Sequence, residues 1–514
     1  MTEPLITPPS PRIQRLRQRH NAERRFQFYG QFAIACAISF LAVLLLSIGW
    51  KAISAFAHFE LTLEIDRPDF AERTDLAVTD LNLAVRDELL DLFPELSAGR
   101  MQRADLFGLA PRLSILPLTR SLQQDPSQAL EPLTARLVVS DDLDLYLKND
   151  FKTHWTYEVG AAGRLARTSS GAYRLSDAGP DGFVAFQDEV SRLGETTGDT
   201  LISFSDVWFE LSRISGATLI LNHLAGPIPD LGEQSASPIT ATFLGTESTN
   251  RQVSNRQIAL VTMLKEQGRI EKRFNSNLFL NADSTYPELA GAAAAVAGSI
   301  FTMLVTALFS IPIGILAAVY LEEFAQKSRL TRIIEININN LAAVPSIIFG
   351  LLGAAVFLNA FGMPRSVPLV GGLVLGLLVL PTIIIASRAA LRSVPPSMRD
   401  AALGLGASRT QAVFHHVLPL AAPGILTGAI IAMARALGET APLLLIGMVA
   451  FVSEVPTSPT DVASALPVII YKWFSGAERA WEPMTAAVII ILLVILIAMN
   501  LTAALLRRRF ERRW

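Results

Sequence analysis

Residues 291–319 read GAAAAVAGSIFTMLVTALFSIPIGILAAV, a run of 29 residues without a charged side chain. Crossing the bilayer core as a helix takes about 20 mostly apolar residues, so this run is long enough to span. Working outward, five further stretches qualify, roughly 32–50, 341–360, 367–387, 419–448 and 484–506. The composition agrees. Of the 514 residues 51% are hydrophobic and 18% charged, against about 25% charged in soluble domains. A disordered or purely soluble chain is excluded, and the length allows more than one domain.

Basic residues orient the spans. Arg12, Arg15, Arg17, Arg19, Arg24 and Arg25 precede the first one, which predicts a cytoplasmic N-terminus. Alternation then puts the loop with Lys327, Arg329 and Arg332 inside. The loop with Arg388, Arg392, Arg399 and Arg409 is inside too, as is the tail with Arg507, Arg508, Arg509, Arg512 and Arg513. The short outside loops carry only Arg365, Lys472 and Arg479. Ala55-Phe56-Ala57 resembles a signal-peptidase site, but the long basic region and near full-length apolar core predict a retained anchor. The expected organisation is a basic tail (1–30), a first span (31–57), an outside domain (58–285), a core of five spans (286–506) and a basic tail (507–514).

The net charge of −2 hides a split: residues 58–290 hold 34 acidic and 21 basic side chains, and the rest hold 12 and 23. The acidic segment reads as a mixed α/β domain. Alternation predicts strands at 59–66, 134–140 and 217–224, and helical periodicity covers 79–93 and 256–274. Cys36 is the only cysteine, so no internal disulfide forms. His58, His154 and His223 are scattered and lack cysteine partners, which favours surface or core roles over metal ligation. Asp141-Asp142-Leu143-Asp144 lacks calcium-loop spacing and reads as a solvated turn. The function of this domain is not legible from its residues.

Between the fourth and fifth spans runs SVPPSMRDAALGLGASRTQAVFHHVLPLAAPGILTG (393–428). It predicts a short helix to Gly404, a turn at Gly406, and a second short helix to His416 before Leu418-Pro419 opens the fifth span. Small Ala401 and Ala402 let another surface approach, so 393–418 reads as a docking element rather than a plain connector. DAALGLGASRTQAVFHHVLP resembles the coupling loop of ABC importer permeases, with Asp400, Ala401, Ala402, Gly406, Leu418 and Pro419 at the family spacing. Asp400 stands for the usual Glu, and His416 for the usual Ile. ARALGETAPLLLIG (434–447), VPSIIFGLLG (344–353) and PIGILAAVYLEEFA (312–325) resemble the phosphate-transport permeases of the PstA type. Many members carry a basic residue where Ile385 stands here; whether Arg388 replaces it is open.

The resemblance implies an α-helical polytopic membrane protein of six transmembrane helices, with the mixed α/β extracytoplasmic domain as an insertion. It implies a multi-pass protein of the bacterial inner membrane, one of two homologous permease subunits. Two ATPase subunits would carry ATP and Mg, and a periplasmic phosphate-binding protein would deliver substrate. No cofactor in this chain and no nucleic acid is implied.

Arg435 and Glu439 lie in the fifth span, where a charge costs about 2.5–3.5 kcal/mol. At i and i+4 they can pair on one helix face, so a salt bridge that orients helices is one reading. The other is a substrate pathway. An arginine fork matches oxyanion oxygens, and a carboxylate accepts only from a ligand that still carries a proton, as phosphate does and sulfate does not. Gly438 leaves room for approach, and Thr440 adds a hydroxyl. A permease for sulfate or molybdate, or a transmembrane sensor, are the alternatives. No G-x-x-x-x-G-K-[ST] occurs, so ATP hydrolysis is expected on a separate chain; no nucleophile elbow or His/Cys/Asp cluster suggests an enzyme.

Overall fold

The computed structural model describes residues 11–510 except 68, 71–76, 149–153, 161–162, 170, 178–182, 184–185, 187–198, 205, 216–217, 229–233, 236–237, 246–250, 327 and 450. Lys327, Arg512 and Arg513, which entered the orientation argument, lie outside the described residues, as do the first ten of the basic tail.

Helix α1 (Pro11–Ile53) takes in both the basic run and the first apolar stretch without interruption. Proline is tolerated at the first helical position, and no other proline follows before Pro68. The tail expected up to residue 30 is therefore helical from Pro11 onward. Next come strands β1 (Ala57–Ile65), β2 (Leu133–Val138), β3 (His154–Gly160), β4 (Gly163–Arg167), β5 (Tyr173–Asp177) and β6 (Thr200–Phe204). They are followed by β7 (Val207–Ser215), β8 (Thr218–Ala225), β9 (Gln234–Ser235), β10 (Ile239–Leu244) and β11 (Ile270–Phe274). Among them lie helices α2 (Val78–Leu92), α3 (Asp141–Lys148) and α4 (Asn255–Glu266).

The strands form a three-stranded sheet, β11-β1-β2, and an eight-stranded one, β3-β10-β6-β7-β8-β5-β4-β9. β1 follows α1 almost directly and pairs antiparallel with β11, Ala57 opposite Phe274 and Leu61 opposite Ile270. The domain thus leaves and re-enters the membrane part through one ladder, so a large insertion needs no rearrangement of the helices beneath it. This ladder also corrects the reading of 256–274 as one helix. The helix stops at Glu266 and Ile270–Phe274 is a strand, because β1 needs a partner on its second edge. Residues 141–144 are likewise no solvated turn. They open α3, and Asp144 is buried, accepting from the Phe59 amide at 2.8 Å and pairing with Lys148.

The membrane part comprises α5 (Ala293–Val319), α6 (Arg329–Ala342), α7 (Ser346–Gly353), α8 (Pro368–Arg392), α9 (Pro396–Gly404), α10 (Leu418–Leu437), α11 (Ala441–Leu445), α12 (Leu466–Phe474) and α13 (Trp481–Phe510). Among the described residues five helical stretches are long and apolar enough to cross a membrane, and six if one bent pair counts as a span. That pair corrects the third expected span. Residues 329–342 and 346–360 meet at 103°, a break placed by Pro345, which pushes the residue before it out of helical geometry. Helix α8 is central, packed between α5 and α10, while α1 lies against α13. The Thr306 hydroxyl of α5 reaches the Gly372 carbonyl of α8 at 3.1 Å.

The inserted domain sits on the helix ends through polar contacts. Lys148 donates to the Ser54 carbonyl at 2.8 Å, Asn275 to the Ala55 carbonyl at 2.9 Å, and Asp283 is paired with Lys472. Between them lies a cleft of about 350 Å³, counting the solvent at its mouth, lined by His58, Asp141, Asp144, Lys148, Glu288 and Met484 among others. Burial pushes the Glu288 carboxyl up to about 8, and neighbouring Asp141, Glu478 and Asp144 add to the rise. Burial likewise takes Asp142 up to about 6, with Asp141 contributing.

A carboxyl whose value is raised on folding stabilises the folded form below its unfolded value. That contribution is lost as pH rises through the folded value. For Glu288 the window runs from the ordinary 4.5 to about 8. The melting temperature of the purified protein is therefore expected to fall between pH 6 and pH 9, and Glu288→Gln should flatten that fall. Parallel melting curves for the two proteins across this range would contradict a protonated seat.

Candidate functional site

The sequence around Arg435 does not continue as helix. Helix α10 ends at Leu437, Gly438 caps it with φ −87°, and the short α11 begins at Ala441 with Pro442 in its first turn. The expected span 419–448 is thus broken at Gly438–Thr440. Proline suits a helix start because its missing N–H would be unpaired there anyway, so the sequence G-E-T-A-P marks the break once it is seen.

Arg435 lies in the last turn of α10, where helix carbonyls favour a cation. Glu439 lies beyond the helix end rather than on its face, yet the two still meet, Arg435 Nε to Glu439 Oε1 at 3.4 Å. The Arg435 side chain is 49% exposed and that of Glu439 18%. Among the described residues Glu439 is the only polar partner of Arg435, so both terminal nitrogens of the guanidinium are uncommitted. Thr440 precedes α11 and its side chain makes no capping bond. Behind the break, Ser299, Thr302, Ala436, Leu437 and Leu443 are among the residues that line a small cavity. The buried Thr302 hydroxyl there has no hydrogen-bond partner.

The break is braced from α7. A Cβ at Gly350 would lie 2.7 Å from the Cα of Pro442 and 2.9 Å from Leu445, so only glycine lets the two backbones approach this closely.

The docking loop has the expected first helix, α9, and the expected turn, with Gly406 at φ +86°. Asp400, Ala401 and Leu403 face outward, Leu405 is 90% exposed, and Ala402 is buried. The second half differs from expectation. From Arg409 the chain runs through a π-helical stretch, Ala412–Val417, straight into α10, so Leu418 and Pro419 lie within a continuous helix rather than at its opening. Ser408 caps its start, accepting from the Gln411 amide at 3.2 Å. The six residues expected to dock therefore split: Asp400, Ala401, Ala402 and Gly406 share one knob, and Leu418 and Pro419 stand on the stalk beneath it.

Sequence reasoning missed Glu322 and Glu323, which follow α5 in another π-helical turn, Tyr320–Phe324. Arg388 donates to Glu322 at 3.3 Å and to Glu335 of α6 at 2.6 Å, and Arg392 donates to Glu322 at 2.8 Å. Arg388 is thus committed to two carboxylates. The available signal was a Glu-Glu pair closing one span opposite Arg388 and Arg392, which close another, and Arg399 on the short helix that follows.

Comparisons with known proteins place this arrangement. Residues 310–512 match a family model described as a binding-protein-dependent transport system inner membrane component, and residues 13–156 match a domain of unknown function (DUF3333). The membrane part is therefore that of a transport-system inner membrane component. The phosphate transport system permease protein PstA 1 of Mycobacterium tuberculosis (strain CDC 1551 / Oshkosh) is 31% identical over 41% of this chain and 69% of its own. That of Haemophilus influenzae, PstA, is 30% identical over 45% of this chain and 80% of its own. A chain of the inward-facing MetNI methionine ABC transporter covers 43% of this chain and 97% of its own at 20% identity, with a TM-score of 0.36. The chain belongs to the PstA family of phosphate transport system permeases. It is a multi-pass membrane transport subunit.

Gly350→Ala is expected to push α7 away from α11 and to cost about 1–3 kcal/mol, as overpacking does. Thermal melts of the detergent-purified protein measure this, and an unchanged melting temperature would show that the contact gives way freely.

Proposed function

We infer that this chain is the permease subunit of an ATP-driven ABC importer of inorganic phosphate and forms half of its translocation pathway. The family membership supports the class. The observation that carries the substrate reading is the half-exposed Arg435, held through Nε alone with its two-pronged end free. A guanidinium in that state can take two oxygens of an anion at once. Glu439 beside it would accept the proton that phosphate retains and turn away sulfate, which has none to give. Gly438 and Thr440 border the same break.

The remaining parts follow from this reading. ATP and Mg belong to separate ATPase subunits, which dock on Asp400, Ala401, Ala402 and Gly406. A homologous second permease completes the pathway, and a phosphate-binding protein delivers the anion outside. Both termini lie in the cytoplasm, as the basic loops require.

Gly406→Asp tests the docking knob. A Cβ there meets nothing within 4 Å, and aspartate tolerates a positive φ better than most residues. Stability should therefore fall by only about 1–2 kcal/mol, while copurification with the ATPase and phosphate uptake are lost. Normal uptake would reduce the loop to a connector.

Arg435→Lys tests the pathway. It keeps the charge but loses the fork, and uptake should drop about tenfold or more, the value of one charge-assisted hydrogen bond. Glu439→Gln should instead admit sulfate, because an amide can donate as well as accept. The alternative of an orienting salt bridge predicts loss of assembly in each single variant and partial recovery when the two charges are exchanged. Undiminished uptake by Arg435→Ala would rule out the pathway role.

A further inference from the structure

The coupling knob is attached to the rest of the molecule in an unusual way. Helix α9 fully buries only Ala402, with Met398 partly covered, so apolar packing holds little of it. Its firm connection is Arg399. The Nε of Arg399 donates to both Glu323 oxygens at 3.1 Å, and Nη2 to Oε1 at 2.6 Å. Two further donors go to backbone: Nη2 to the Leu391 carbonyl at 2.9 Å and Nη1 to the Val394 carbonyl at 2.8 Å. The Leu391 carbonyl lies in the last turn of α8, and Val394 lies two residues beyond its end, in the link to α9. One side chain on the knob therefore grips the end of α5 and the end of α8 together. Glu323 is 8% exposed, and an unpaired carboxylate buried there would be costly. Next to it, Glu322 holds Arg388 and Arg392 of α8, and Arg388 reaches on to Glu335 of α6. The chain of ion pairs runs from α9 to α6.

We propose that the Arg399–Glu323 clasp is the element through which movement of the coupling helix is passed to the spans α5 and α8, which makes Glu323 a positioning residue for transport. It touches neither the anion pathway at Arg435 nor the outward face of α9. An inward or outward shift of α9 drags the ends of α5 and α8 only while this bidentate grip holds. Without it the knob can still be seated on an ATPase but moves on its own. The inference rests on the reading that α9 docks an ATPase.

The test uses the intact complex purified with its ATPase and reconstituted in liposomes, with inorganic phosphate and its delivery protein supplied. Glu323→Gln should assemble and hydrolyse ATP, while phosphate imported per ATP falls about tenfold, the loss expected from weakening one charge-assisted bond. Arg399→Lys, which keeps the charge but cannot reach both carboxylate oxygens and both carbonyls, should lower the same ratio. The double variant should be no worse than the worse single one, because the two residues act as one unit. A merely structural role would reduce the amount of complex and leave the ratio in the surviving complex unchanged. An unchanged ratio in either variant, or additive losses in the double one, would overturn the proposal. Failure of the unsubstituted chain to copurify with any ATPase would instead refute the docking reading beneath it.

Discussion

A charge among apolar helices has to find a partner or leave the bilayer core, and the architecture follows from where this chain puts its partners. At one end of the bundle Glu322 and Glu323 meet Arg388, Arg392 and Arg399, which gathers the ends of α5 and α8 and the knob α9. At the other end Lys51 of α1 pairs with Glu482 of α13, and Lys472 of α12 with Asp283. The apolar core between them, Met303, Val374, Leu378, Val379 and Ala432 among others, carries no such requirement. Arg435 is the exception, with one long contact and an open fork. On the proposed reading, a site that binds an anion only in passing needs such a group, since a fully paired arginine would have to break its bonds first.

The inserted domain obeys a different constraint. Its first and last strands, β1 and β11, pair with each other just above the helices, so the domain is closed by its own hydrogen bonds. Its apolar cluster around Leu61, Leu63, Leu137 and Leu260 is separate from those of the membrane helices. The two parts meet through the Lys148, Asn275 and Asp283 contacts, around a cleft where burial raises the Glu288 carboxyl to about 8, and through Leu278, which packs with Ala52, Ala55 and Trp473. The family model over residues 13–156 runs from α1 into this domain, which fits an anchor and insertion that form one piece.

Local pattern carried far in the sequence. Apolar runs located the spans because hydrocarbon thickness sets their length. Alternation located β1, β2 and β8, and periodicity located α2. The knob α9 and the turn at Gly406 were legible because glycine at positive φ leaves a mark in sequence. The breaks were not. Apolar composition is similar on both sides of Gly438, so hydropathy read 419–448 as continuous; the polar 329–340 stretch hid the α6 arm before Pro345, and Ile270–Phe274 passed for helix because its partner β1 lies over 200 residues away in sequence.

The sequence alone determined membrane residence, the presence of an inserted domain and the pair of candidate charges, since each depends on composition or spacing within a few turns. Tertiary structure decided which charges are committed. Arg388, Arg392 and Arg399 looked like topological markers, and their carboxylate partners lie 53 to 76 residues away. Arg435 and Glu439 looked like a helix-face pair, and a helix end separates them. Pairing is set by distance in space, and the ends of α5, α8 and α9 come together only once the helices pack.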